Sequence, residues 1–167
     1  MKKGINYQYY VEGEDEKKFL NVLKAMGCIE SGRVDKFNAV QNEFTFARIR
    51  PLKQNTIVVL VYDTDIDTID VFRRNIAFLK NQSAIKDVIL IPQVRNLEDE
   101  LVRACKIKKV EELTHSCSTK DYKKDLIHCA NLASRLRKCN FDVLKLWSCT
   151  PQNRFSAWGN DAEKIKI

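Results

Sequence analysis

The sequence predicts an α/β fold built on a mostly parallel sheet of four to five strands, with helices on both faces. Apolar runs typical of strands alternate with amphipathic helical patterns along the 167 residues. The run at 56–62 is apolar throughout, as expected for a central strand that is covered on both faces. Acidic clusters follow the runs, and open α/β sheets build their sites at the carboxyl ends of strands.

The first half of the chain shows two strand–helix units. Residues 5–11 are rich in aromatic and β-branched side chains and predict a strand, which a helix follows at 14–26. Residues 34–49 are ambiguous and predict one or two short strands. The apolar strand at 56–62 then leads into an amphipathic helix at 67–80.

The second half continues the alternation. A short buried strand is predicted at 88–91, and Asn96 is a suitable cap for a helix that runs to Cys105. A longer helix is predicted at 120–139, and a last strand at 143–147.

The composition is that of a single soluble domain, with 44% hydrophobic and 31% charged residues. We expect residues 1–147 to form this domain and the tail 148–167 to dock on it through Phe155 and Trp158. No segment approaches the roughly 18–20 apolar residues of a membrane span, and the basic start does not continue into a secretory signal. A cytoplasmic protein without membrane contact is therefore expected. The six cysteines include no Cys-x-x-Cys pair, which favours buried thiols over a zinc site.

The first acidic cluster follows the first predicted strand. Glu12 stands directly after the strand, where a carboxylate can exchange protons or bind a metal, and Gly13 allows the backbone to approach a phosphate. Glu14 and Asp15 are better explained as acids that favour a helix N-terminus.

Two further acidic clusters follow later strands. Asp63 and Asp65 are two residues apart, so in an extended chain they point the same way and can bind a hard cation. Either Glu98 or Glu100 could complete a metal shell, although acids at a helix N-terminus are a competing explanation. We expect Mg²⁺ or Mn²⁺ as the cofactor.

The positive charge of the chain is concentrated in its second half. The net charge is +7, from 29 basic and 22 acidic residues. A basic rim around a metal-loaded acidic centre suits nucleic acid, and solvated helix faces explain the charge equally well. The candidate nucleic-acid-binding residues are Lys108, Lys109, Lys120, Arg135 and Arg137.

The first two acidic motifs together resemble the TOPRIM domain of topoisomerases, bacterial primases, OLD-family nucleases and small RNase M5-like proteins. In the stretch 9–20 (YYVEGEDEKKFL), Glu12 matches the family's glutamate, Gly13 its glycine and Glu16 its later acid. Asp63 and Asp65 match its Asp-x-Asp. The similarity covers roughly residues 5–105. No glycine follows soon after Asp65, where many primase-like members carry one.

The resemblance implies a four-stranded parallel core and Mg²⁺-dependent phosphoryl transfer. In the family the glutamate is proposed to shuttle a proton, while the aspartates hold metal. OLD-like nucleases add a downstream acid, here Glu98 or Glu100, and a lysine. The candidates for that lysine are Lys120, Lys123 and Lys124.

Three functions follow as hypotheses. The first is a metal-dependent nuclease, which among small stand-alone TOPRIM proteins includes defence-associated effectors. The alternative is a partner-dependent module that docks to a separately encoded ATPase through Trp147, Phe155 and Trp158. An Asp-x-Asp phosphatase ranks last, because that chemistry needs a nucleophilic aspartate where the first strand here ends in Glu12.

Overall fold

Four parallel strands form the centre of the protein. The computed structural model describes residues 4–167. The strands are β1 (Asn6–Val11), β2 (Arg33–Lys36), β3 (Thr56–Asp63) and β4 (Ile85–Gln93), in the spatial order β2-β1-β3-β4. Every neighbouring pair is parallel, which confirms the predicted α/β class with four strands.

Helices cover both faces of this sheet. Within residues 4–167 the seven α-helices are α1 (Glu14–Ala25), α2 (Phe46–Ile49), α3 (Asp70–Lys80), α4 (Leu97–Ala104), α5 (Glu111–Thr114), α6 (Thr119–His128) and α7 (Leu132–Lys138), and they are followed by 3₁₀ turns at Arg154–Trp158 and Ala162–Lys164. On one face α1 packs with the later helices around Phe19, Leu101 and Leu126, and on the other α3 packs through Phe72 and Ile76.

The alternation of side chains along β3 determines which face its last residue joins. Ile57, Val59 and Val61 belong to the apolar core under α1, and the intervening residues belong to the core under α3. Successive side chains of a strand point to opposite faces, so Asp63 continues the row under α1. The last residue of β3 therefore lies beside the first turn of α1.

The helix predicted at 120–139 is wrong in its length, because the chain turns between α6 and α7. Cys129 has an extended backbone (φ −67°, ψ 105°) that ends α6. Tyr122 and Leu126 of α6 and Leu132 and Leu136 of α7 all enter the core under α1. The turn allows both short helices to bury their apolar faces in that core.

The strand predicted at 143–147 is also wrong. The Asp142 carboxylate accepts the N–H of Leu144, and the Asp142 carbonyl accepts the N–H of Lys145 at 3.1 Å, which folds the segment into a turn. Trp147 then adopts a left-handed backbone with φ 53°. The ambiguous stretch 34–49 contains one strand, β2, and the single turn of α2.

The C-terminal tail packs against both cores. Phe155 is buried under α3 and Ile165 under α1. Asp161 donates its N–H to the Leu90 carbonyl at 2.9 Å, which fixes the tail along the free edge of β4. Trp147 is also buried. Trp147 and Phe155 therefore cover the core, and Trp158 is partly buried against the core under α3, so of the three aromatic residues named for docking only Trp158 is partly accessible.

Two further features bear on the expected environment of the protein. No helix within residues 4–167 combines the length and the apolar composition of a membrane span. The six cysteines are all free thiols, of which Cys105 is buried and Cys117 is exposed.

Candidate metal centre

Three carboxylates meet at the carboxyl edge of the sheet. Glu12 follows β1, Asp63 ends β3, and Glu16 lies in the first turn of α1. One oxygen of each lies within 4.8 Å of the others. Among the described residues this is the only group of three or more His, Cys, Asp or Glu side chains placed to share a metal ion.

Gly13 connects two of these carboxylates. Its N–H donates to Glu16 Oε2 at 2.7 Å, which caps α1. Its backbone is extended (φ −127°), so no unusual torsion demands glycine here. A Cβ would lie 2.5 Å from Asp15 Oδ1 and 2.7 Å from Glu16 Oε2, so a larger residue here would require these carboxylates to shift.

Asn38 orients Glu12 and was not identified from the sequence. Its side-chain amide donates to Glu12 Oε1, while its own Oδ1 accepts the N–H groups of Val40 and Gln41 at 3.0 and 3.1 Å. The turn after β2 is thus held in place and presents the amide to the site. No motif marks this asparagine, because it reaches Glu12 only through the pairing of β2 with β1.

The crowding of the carboxylates shifts their proton affinities upward. Burial, followed by the charges of Glu12 and Glu16, raises the pKa of Asp63 to about 10. Burial and then Asp15 raise the pKa of Glu16 to about 8. Burial also raises the pKa of Glu12, against hydrogen bonds from Asp63 and Asn38. Without a cation, negative charge at this position is therefore costly.

We expect the metal-free protein to lose stability as the pH rises. Folded Asp63 holds its proton to about pH 10, against an ordinary value of 3.8, and Glu16 to about pH 8, against 4.5. Between the ordinary pKa and the raised pKa of each group, the folded chain binds more protons than the unfolded chain. Raising the pH through this range therefore favours unfolding. The melting temperature in EDTA should fall from pH 5 to pH 9, by about 2–4 °C per kcal/mol lost.

Asp63→Asn is the matched variant for this measurement, with Asp70→Asn as an exposed control on α3. Asparagine cannot ionise, so Asp63→Asn should flatten the pH profile, while Asp70→Asn should leave it unchanged. A wild-type melting temperature that rises from pH 5 to pH 9 would contradict the raised pKa values.

Lys123 lies at the rim of the carboxylate group. Its Nζ is 3.5 Å from Asp15 Oδ2 and 3.4 Å from Glu98 Oε1. Burial alone would lower the pKa of Lys123, but Asp15, Glu98 and Glu16 raise it above its usual value. All three candidate lysines are exposed, and of these Lys123 is the one that forms ion pairs beside the site.

Asp15 does more than favour the N-terminus of α1, because it belongs to the surroundings of the carboxylate site. Its side chain is buried, raises the pKa of Glu16 and contacts Lys123. It stands four residues before Phe19 on the buried stripe of α1. That spacing was the available signal for its burial.

Gln93 is a second residue that the sequence did not reveal. It pairs with Asp63 across the β3–β4 ladder, so the two side chains share one face of the sheet. Gln93 is 0% exposed, and its amide nitrogen and oxygen have no hydrogen-bond partner among the described residues. It is a polar group held beside Asp63.

The two downstream acids occupy different places. Glu98 contacts Lys123 near the site. Glu100 is 0% exposed, and its oxygens accept from Val94 N–H at 2.8 Å, Arg103 Nη2 at 2.5 Å and Trp147 N–H at 2.9 Å. Glu100 is thus committed to structural hydrogen bonds, which leaves Glu98 as the acid nearer the site.

Asp65 and the basic residues lie outside the close group. Asp65 is exposed, although its charge raises the pKa of both Glu12 and Asp63. Arg135 donates to the Leu113 carbonyl at 3.3 Å. Arg137 lies near Cys28, beyond the far end of α1 and away from the carboxylates. Lys108 and Lys109 are exposed before α5.

The donor set fits a hard divalent cation. Carboxylate oxygens are the ligands that Mg²⁺ and Mn²⁺ prefer. Asp63 Oδ1 is buried and has no hydrogen-bond partner among the described residues, which is the environment of an oxygen that a cation would stabilise. Glu12, Glu16 and Asp63 are therefore the candidate ligands.

Comparison with protein-family models, with curated proteins and with solved structures finds no match to this chain. The resemblance to the TOPRIM domain consequently remains a prediction that rests on its two motifs.

Proposed function

We propose that this chain is a metal-dependent nuclease that hydrolyses phosphodiester bonds in DNA or RNA, with Glu12, Glu16 and Asp63 as ligands of Mg²⁺ or Mn²⁺. The observation that carries the proposal is the approach of these three carboxylates to within 4.8 Å at the carboxyl edge of a parallel sheet. The TOPRIM-like motifs and the net charge of +7 support nucleic acid as the substrate.

The cation would supply Lewis acidity toward a phosphoryl oxygen and lower the pKa of bound water. The protein's own groups have separate roles. Asn38 donates to Glu12 and holds it in one orientation among the candidate ligands. Lys123 offers a positive charge at the rim, where a phosphate of the substrate would approach.

We propose that the protein acts in the cytoplasm. Its six free thiols fit a reducing compartment.

The test is cleavage of labelled single- and double-stranded DNA and RNA with Mg²⁺, with Mn²⁺ and with EDTA. We expect at least one substrate to be cut with a divalent ion and none in EDTA. Cutting that persists in EDTA would contradict the proposal. If no substrate is cut under any condition, the result favours the alternative of a partner-dependent module. The next measurement is then whether a stoichiometric ATPase co-purifies with the protein.

A further inference from the structure

A second candidate site lies on the opposite face of the sheet from Asp63. The core under α3 includes Tyr10 of β1 and also Phe44 and Ile49, which lie around the single turn of α2. A cavity of about 830 Å³ opens there. This volume lies within the range of roughly 300–1,000 Å³ that is typical of small-molecule sites.

The floor of the cavity is polar and structurally fixed. Gln8 and Tyr10 on β1 pair with Arg33 and Asp35 on β2, so their side chains share one face. The Gln8 amide donates to Asp35 Oδ2 at 3.2 Å and to the Tyr9 carbonyl at 3.1 Å. Both amide hydrogens are thus used, and its carbonyl oxygen accepts no hydrogen bond from the described residues. Gln8 therefore presents an acceptor to the cavity.

The walls carry an excess of positive charge. Arg33 forms an ion pair with Asp35 at 2.9 Å, so these two charges largely cancel. Arg48 and Lys53 also line the cavity, and neither forms an ion pair within residues 4–167. The Arg48 guanidinium lies 4.3 Å from the centre of the Phe37 ring, a cation–π contact. Two cations remain for an anionic ligand.

Tyr10, Arg33, Asp35 and Arg48 all line this cavity. Burial and Asp35 raise the pKa of Tyr10 to about 12, while Arg48 and Arg33 act to lower it. Leu52, Pro51 and Ala47 add apolar surface beside them. The cavity combines a cationic end with an apolar wall and an amide acceptor.

We infer that this cavity binds a nucleoside phosphate, with the phosphate on Arg48 and Lys53 and the nucleoside against Tyr10, Leu52 and the Gln8 carbonyl. Arginine and lysine are the side chains that recognise phosphate. The ligand is either a free mononucleotide or the phosphorylated end of a nucleic-acid strand, since both carry the same group. This site is separate from the carboxylates and does not depend on the proposed nuclease activity.

The experiment is calorimetric titration of the wild-type protein in EDTA with AMP, GMP, CMP and UMP. We expect at least one to bind with a Kd below about 1 mM. Arg48→Gln should weaken that binding at least about 10-fold, because it removes one of the two cations that hold the phosphate. Arg50→Gln, an exposed arginine two residues away that does not line this cavity, should leave the Kd unchanged. Melting temperatures of both variants check their folding.

Three results would overturn the inference. The first is that none of the four nucleotides binds at about 10 mM. The second is that Arg48→Gln and Arg50→Gln weaken binding equally. The third is that inorganic phosphate binds as tightly as the nucleotides. A 5′-phosphorylated dinucleotide distinguishes the two sources of the ligand. If the dinucleotide binds more tightly than the mononucleotide, the site is assigned to a strand end. If the dinucleotide binds more weakly, the site is assigned to the free nucleotide.

Discussion

Replacing Asp63 by asparagine is expected to lower metal-dependent cleavage at least about 100-fold, since even the partners of metal ligands are worth roughly 10–100-fold. Burial and the charges of Glu12 and Glu16 raise the pKa of Asp63 to about 10, and its Oδ1 has no hydrogen-bond partner among the described residues. Asparagine keeps the shape of the side chain and removes its charge. The measurement is the initial rate of cleavage with Mg²⁺ or Mn²⁺ on the best substrate.

The control for this variant is Glu14→Gln, an exposed acid in the same helical turn as Glu16. It should keep wild-type activity. Asp65→Asn should have a smaller effect than Asp63→Asn, because Asp65 is exposed and outside the group of three. An Asp63→Asn/Asp65→Asn double variant that cleaves as well as wild type would refute the carboxylate mechanism.

Loss of activity in Asp63→Asn should not come from unfolding. Because the folded chain holds Asp63 protonated up to about pH 10, a neutral asparagine resembles the state that the metal-free protein already prefers. We therefore expect Asp63→Asn to melt no lower than wild type in EDTA at pH 8.

Glu100→Ala is expected to cost about 3 kcal/mol of stability, near the lower end of the range for breaking a buried ion pair. The change removes the acceptor of the Val94 and Trp147 N–H groups and the carboxylate partner of Arg103, which keeps its hydrogen bond to the Val94 carbonyl. Arg103 is 29% exposed, so water recovers part of the loss. In a chain of this size the melting temperature should fall by roughly 6–12 °C.

Glu98→Ala is the matched comparison two residues away. Its carboxylate contacts Lys123, whose side chain is 57% exposed, so the stability cost should stay below about 1 kcal/mol. Chemical denaturation of both variants measures the difference. If Glu100→Ala kept wild-type stability but lost cleavage, Glu100 would be a functional acid, and its structural assignment would be wrong.

The positions of Glu12 and Asp63 could be predicted because both follow apolar strands. A parallel sheet brings the ends of neighbouring strands to one edge, so acids at those ends must lie close together. The burial of Glu16 follows from its helical spacing to Leu20 and Leu23. Local pattern was sufficient for these residues.

Asn38 and Gln93 could not be predicted, because their roles depend on which strands are neighbours. Asn38 reaches Glu12 only because β2 lies beside β1, and Gln93 lies beside Asp63 only because β4 pairs with β3. Strand order is a tertiary property that single motifs do not encode.

Glu98 and Glu100 show the same limit within one helix. Both stand in the first turn of α4, and the sequence offered no means to separate them. Glu100 has a structural role because its carboxylate accepts the N–H of Trp147, which lies 47 residues later in the chain. A left-handed turn at Trp147 was not visible in the pattern that suggested a strand.

The most direct measurement is titration of the protein with Mn²⁺, followed by electron paramagnetic resonance of the free ion, for wild type, Asp63→Asn and Glu14→Gln. If Glu12, Glu16 and Asp63 form a metal centre, wild type and Glu14→Gln should bind roughly one or two ions per chain at saturation, and Asp63→Asn should lose that binding. Wild-type protein that binds no Mn²⁺ saturably, or an Asp63→Asn variant that binds it as tightly as wild type, would contradict the metal centre.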